Sequence, residues 1–243
     1  MEQKMTDAFY ENVKAFQDKA FQQNRETIGL AAKAIADSIA DKGMLHVFGS
    51  GHSSIVALEI IGRAGGLVPV NAIHDATGGW PEGLSGYGAA LFDRYKTSYE
   101  IHPGEVVIVI SNSGKNSSPV EVALGAKEAG AKVVAVTSLE MSKASTSQHA
   151  SGKRLFEIAD YVLDNFGIPG DASVDVPGGE MKAGSTSTLT GALLLNLLVL
   201  DTLQELHGRG CELPILKSNN LEGSKEFNDA LFKKFRSRLR QPL

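Results

Sequence analysis

VVIVISNSGKNSSPVEVALGAKEAG, Val106 to Gly130, is the stretch on which the fold turns. With Glu105 ahead of it, the apolar run to Ser111 is rich in β-branched residues and apolar on both faces, which predicts a strand in the middle of a parallel sheet. A helix is predicted from Ser118 to Ala129, closed by Gly130. Between them lie Ser111, Asn112, Ser113, Gly114, Lys115, Asn116, Ser117 and Ser118. Gly114 permits a left-handed backbone. Ser117 or Ser118 is positioned to cap the helix, with Pro119 in its first turn and Glu121 placed for a capping box. A strand that runs through such a turn into a helix collects unpaired backbone N–H groups and hydroxyls at one point. That point suits an anion, above all a phosphate.

The same design occurs earlier, in MLHVFGSGHSSIVALEIIG, Met44 to Gly62. A strand over Met44–Phe48 leads through Gly49-Ser50-Gly51-His52-Ser53 into a helix predicted to run to Ala64. The spacing departs from the dinucleotide fingerprint G-x-G-x-x-G, because Ser54 stands at its last position and no acid ends the next strand. Hydroxyls in place of glycines suit one phosphate or sugar oxygens better than a pyrophosphate. A third polar cluster, Lys182-Ala183-Gly184-Ser185-Thr186-Ser187-Thr188, opens an apolar helix whose N-terminus offers free N–H groups and a favourable dipole.

Further strands are predicted at Leu67–Ile73, where Pro69 favours a sheet edge, at Ala131–Ser138 and at Tyr161–Asn165. Alternating strands and helices specify an α/β fold: a parallel sheet with helices on both faces and right-handed crossovers. Residues 1–42 read as helical. Phe9, Val13, Phe16 and Phe21 share one face, and a second helix, Arg25 to Asp41, carries Ile28, Ala32, Ile35 and Ile39 on a stripe. Two glycine-rich segments, His74–Tyr95 and Phe166–Ser187, have no clean period. They are expected to be long irregular loops over the mouth of a site.

Composition narrows the function. The chain has 243 residues, 42% of them hydrophobic, and a formal net charge of -4, so it can bury a full core and presents no broad basic field for nucleic acid. A single cysteine, Cys211, forms no internal disulfide and fits a reducing, cytoplasmic setting. No secretory signal opens the chain. The apolar run Leu189–Leu200 falls short of the roughly 20 residues a membrane span needs, and reads as a buried helix. The histidines are scattered, with no metal-ligand spacing and no C-x-x-C. No membrane, metal or cofactor is therefore expected.

The order of these motifs resembles the SIS (sugar isomerase) family. Its G-x-G-x-S turn corresponds to Gly49, Gly51 and Ser53. Its S-x-S-G-x-[ST] turn corresponds to Ser111, Ser113, Gly114 and the hydroxyls after it. Its third strand ends as Thr137 and Ser138 do here. The likeness covers roughly 25–207. It implies a three-layer αβα sandwich on a five-stranded parallel sheet, spanning residues 43–210, with the N-terminal helices (1–42) before it and a C-terminal helical tail (211–243) packed on the same domain. It also implies a homodimer or homotetramer that binds phosphorylated sugars at the strand ends, without metal or nucleotide.

Two branches of that family share features with the chain. Glu59, in ALEIIGR, resembles the glutamate of phosphoheptose isomerases. The histidine those enzymes carry on the last long helix has no counterpart, since Asn196 and Leu197 stand there. MKAGSTSTLTGALLLNLL resembles the helix start of N-acetylmuramic acid 6-phosphate etherases. The resemblance thus implies an aldose–ketose sugar-phosphate isomerase, or else an etherase-type lyase on an amino-sugar phosphate, or a non-catalytic sensor. Isomerisation needs a base, an acid and a remote phosphate anchor. Glu59 is the expected base. His52, in the first turn, and His74, at the start of an irregular loop, are further proton carriers. Glu82 and Glu180 lie in the irregular segments and are able to enter a closed site. The expected ligand groups are Gly49, Ser50, Gly51, Ser53, Ser111, Asn112, Ser113, Gly114, Ser117, Ser118, Thr137, Ser138, Lys182 and Ser185.

Overall fold

The computed structural model describes residues 4–239. Its centre is a five-stranded parallel sheet of β1 (Leu45–Gly49), β2 (Val70–Ile73), β3 (Val106–Ile110), β4 (Lys132–Thr137) and β5 (Tyr161–Asp164), in the order β2-β1-β3-β4-β5. All of β1 and β3 is buried, as the apolar runs require. Successive side chains face opposite layers. Ile108 and Ile110 join the core under α2 (Arg25–Ala40), α3 (Ser53–Leu58) and α7 (Ser187–Gly208). Val107 and Val109 join the core under α4 (Tyr87–Ser98) and α5 (Ser117–Glu128). The result is the three-layer α/β sandwich expected from the sequence. Helix α1 (Met5–Gln23) precedes α2 and packs against α7.

Several predicted boundaries shift. The helix after the first turn ends at Leu58 rather than Ala64, because Gly62 and Gly65 adopt φ of +60° and +79° and turn the chain back. The predicted strand Leu67–Ile73 keeps only β2. Leu67 instead bridges Ile215, and Val68 donates to the Pro214 carbonyl. β2 does lie at the sheet edge, where Pro69 pointed. The segment His74–Tyr95 is not wholly irregular: α4 begins at Tyr87. Nor is Phe166–Ser187, which folds an antiparallel hairpin of β6 (Ala172–Asp175) and β7 (Lys182–Ser185) beside α1.

α6 (Leu139–Ala144) follows β4, and α8 (Ser224–Phe235) lays Leu231, Phe232 and Phe235 over Val68 and Leu216. α7 is 22 residues long and, by length and composition, apolar enough to cross a membrane. Its inner face, with Leu194, Leu195, Leu198 and Leu206, is buried against the core. Cys211 packs at the margin of the same core.

Candidate functional site

Strand order decides where a ligand fits. The chain leaves β1 toward β2 on one side and resumes with β3 on the other, so β1 and β3 are neighbours at a switch point of the sheet. Such a point opens a crevice at the carboxyl ends of its strands. Both Ser/Gly turns emerge there. Gly49 ends β1 where an added Cβ would lie 2.3 Å from the Ser53 carbonyl oxygen, so the turn closes only on glycine. Gly51 follows at φ +56°.

A cavity of about 520 Å³ lies between the turns. Ser50, Gly51, His52 and Ser53 line it from the first turn, and Ser111, Asn112 and Ser113 from the second. Ser50 is 7% exposed, and its Oγ has no hydrogen-bond partner among the described residues. The backbone N–H groups of Ser113 and Asn116, both on lining residues, likewise carry no partner there. Unpaired donors and a buried orphan hydroxyl at one spot suit acceptor oxygens.

Several polar groups of the motifs brace the turn. Gly114 N–H donates to Ser111 Oγ. Thr137 Oγ1 donates to the Asn112 carbonyl, and Ser142 Oγ to that of Ser113. Gly114, at φ +60°, packs against Ser142. Ser138 caps α6 by accepting from Met141 N–H and donates to the Gly167 carbonyl. Ser117 Oγ donates to the Gln148 carbonyl, and Ser118 Oγ is buried without a partner among the described residues.

Four expected residues, Glu59, His74, Lys182 and Ser185, stand apart from the cavity. Glu59 ends α3 in an ion pair with Arg63 and accepts a 2.9 Å bond from Asn196. His74 is exposed and lines a separate cavity of about 370 Å³ with Leu91, Arg94 and Tyr99. Lys182 pairs with Asp175 in the hairpin, which also holds Ser185. The third cluster is thus split: β7 takes Lys182–Ser185, while Ser187 and Thr188 open α7 and line the cavity.

Sequence reasoning did not find the roles of Asp171, Asn116 and Trp80, and it named Glu82 only as a loop residue. Asp171, at φ +61°, accepts from Thr186 N–H, Ser187 N–H and both hydroxyls, so α7's N-terminus is already fronted by a carboxylate. Glu82 lines the cavity and accepts from Asn116 Nδ2 at 2.6 Å. Trp80, 93% exposed, stands at the rim on the same loop. That loop is pressed onto the first turn, for a Cβ on Gly79 would lie 2.4 Å from Gly51 N. Asp75 braces it by accepting from Thr77 and Tyr87; burial pushes the Asp75 carboxyl up, but these bonds outweigh it and hold it below the usual range. Among the described residues, no lysine or arginine lines the cavity. No group of metal-binding side chains occurs among the described residues.

The family described as SIS domain matches residues 8–138. UPF0309 protein lmo0025 of Listeria monocytogenes is 37% identical, covering 95% of this chain and 97% of its own. Among solved structures, the phosphoheptose isomerase of Francisella tularensis superposes with a TM-score of 0.57 at 17% identity, over 82% of this chain and 96% of its own. The phosphoheptose isomerase of Neisseria gonorrhoeae gives 0.56 at 16% identity, over 81% and 96%.

Proposed function

The chain belongs to the SIS domain family, and from that premise we propose that it binds a phosphorylated sugar and interconverts its aldose and ketose forms by acid–base chemistry, without a metal or cofactor. One observation carries the reading: unpaired N–H groups of Ser113 and Asn116 meet the orphan Ser50 hydroxyl across a cavity at the β1/β3 switch point. In this reading the phosphate rests on the turn Ser111–Asn116, before the positive end of α5. Ser50, Ser53 and Asn112 hold sugar oxygens, and His52 serves as a proton carrier. Gly49, Gly51 and Gly114 shape the backbone, while Ser117, Ser118, Thr137 and Ser138 support the turn from behind. A phosphate held only by neutral donors depends on their alignment more than on Coulomb attraction, which suits positional selectivity.

We also propose that the chain works as a homo-oligomer. Leu189, Leu193, Asn196 and Leu200 follow one another at helical spacing on the outer side of α7, with Leu189 43% and Leu200 60% exposed. Ile55 and Leu58 on α3 extend this apolar strip, at 53% and 55% exposure. The exposed Glu59–Asn196 bond ties the two helices together along it. A second copy of the chain is the natural cover for the exposed leucines on this strip. Light scattering should give a dimer or larger mass, and Leu58→Glu with Leu200→Glu should lower it to that of a single chain. An unchanged mass would remove this surface from the assembly.

The functional test is thermal stabilisation by a panel of sugar phosphates against the matching free sugars, followed by solvent deuterium exchange at C1 and C2. Stabilisation by phosphorylated sugars with exchange is expected. Stabilisation without exchange would make the protein a sensor, and lactate release from muramic acid 6-phosphate would make it a lyase. No stabilisation by any phosphorylated sugar would end the reading.

A further inference from the structure

An enediol mechanism needs a carboxylate or imidazole that reaches the substrate with a free lone pair, and the cavity wall holds few such groups. Asp171 has both oxygens engaged at the start of α7. Glu59, the carboxylate expected from sequence, lies outside the cavity in its pairing with Arg63 and Asn196. Glu82 is the remaining carboxylate on the wall. Its Oε1 is held by Asn116 at 2.6 Å, and its Oε2 has no partner among the described residues. The backbone of Glu82 is fixed at both ends, its N–H donating to the Gly79 carbonyl at 3.0 Å and its own carbonyl accepting from Ser118 N–H at 2.9 Å. The bond to Ser118 fastens the loop to the first turn of α5, the helix that follows the serine turn. One oxygen is therefore anchored and the other unbonded on a residue that lines the cavity, a preorganised mount for proton transfer.

Building on the phosphosugar isomerase reading, we infer that Glu82 is the catalytic base of this site. Glu82 Oε2 takes the proton from the carbon beside the carbonyl. The C–H electron pair becomes the C=C bond of the enediol, and the carbonyl oxygen takes a proton from His52, the imidazole on the opposite turn. Glu82 then returns its proton to the neighbouring carbon. The hydroxyl on the carbon that becomes the carbonyl gives its proton back to His52. Atoms and charge balance with no oxidant or reductant. Asn116 serves as a positioning residue, since it holds the carboxylate while its backbone N–H stays free for the phosphate.

Glu82→Gln keeps an oxygen for Asn116 and removes the base, so it separates chemistry from architecture. The full chain, wild type and variant, is incubated in deuterated water with a panel of aldose and ketose phosphates. Exchange at C1 and C2 is followed by NMR, and binding by thermal shift with the same compounds. The wild type should exchange. Glu82→Gln should lose at least a hundredfold in exchange rate and keep its affinity within about threefold; Glu82→Asp should recover part of the rate. Wild-type exchange rates in Glu82→Gln would overturn the role of Glu82 and leave the phosphosugar isomerase reading standing. Binding without exchange in the wild type would overturn the isomerase reading and this base together, while leaving phosphosugar binding intact. Failure of every phosphorylated sugar to bind would overturn all three.

Discussion

Ser113 stands where the serine turn meets the cavity, with its backbone N–H unpaired and its carbonyl held by Ser142. A hydroxyl at such a place contributes a charge-assisted hydrogen bond to an oxyanion. Ser113→Ala should therefore weaken sugar-phosphate binding by about 1–3 kcal/mol, read by calorimetry. An unchanged dissociation constant would move the phosphate off this turn. Gly79 makes a different kind of contribution. It sits at φ +87°, and its missing Cβ is what allows the Glu82 loop to lie on Gly51 and Ser50. Gly79→Ala should cost about 1–3 kcal/mol of stability and loosen the cavity wall. Trp80, the chain's one tryptophan, reports that change directly, through an altered fluorescence response to ligand. The serine and glycine turns were readable from composition and spacing alone. Glu82 was not assignable to the cavity wall, because its place depends on where a glycine-rich loop comes to rest.

At the scale of elements, two helices of the site borrow their caps from elsewhere. Glu121 looked like half of a capping box for its own helix, α5. Its carboxylate instead accepts from Gly86 N–H at 2.6 Å and Ala89 N–H at 3.0 Å, and so caps α4. The N-cap residue of α5, Asn116, makes no side-chain cap and turns to Glu82. This is why α4 was hidden inside an irregular segment: its N-cap is Gly86 at φ +86°, with no local acceptor in sequence. Glu121→Ala leaves two donors unmatched and should destabilise the protein by about 1–2 kcal/mol in urea unfolding. Asp171 does the same for α7, accepting from Ser187 N–H at a separation of 16 positions in sequence. The short range of capping rules explains the misses, since they read only neighbours along the chain.

Across the whole molecule, the end of the sheet opposite the site is held by a buried polar cluster. His46 Nδ1 meets Tyr95 OH at 2.6 Å, and its Nε2 meets Glu105 Oε2 at 3.0 Å. Glu105 also accepts from Met44 N–H, His102 N–H and Arg238 of the C-terminal segment. Burial alone would raise the Glu105 carboxyl, but these bonds, that of His46 foremost, bring it down to about 2. Burial also lowers His46, which Glu105 opposes only in part. Both folded pKa values lie below their unfolded ones, so the unfolded chain binds more protons in acid. Stability should fall first as pH drops through about 6.5, from His46. A second loss follows as pH falls from about 5 toward 2, worth about 3 kcal/mol from Glu105 by linkage. Urea midpoints between pH 7.5 and 3 test this. Glu105→Gln should be less stable at neutral pH and flatter in the acid range, and an equally steep curve would take the effect away from Glu105.

The alternation of strand and helix and the two polar turns after β1 and β3 are written in the local sequence. Those features follow from side-chain period, β-branching and local turn chemistry, each of which acts within a few residues. That β1 and β3 are neighbours, so that Ser50 and Ser113 line one cavity, emerges with the packing of the sheet. Tertiary packing also leaves Glu59 outside it while Glu82 and Asp171 enter. Strand order and loop docking are contacts between distant segments, fixed by which faces must be buried together, and no local pattern in sequence encodes them.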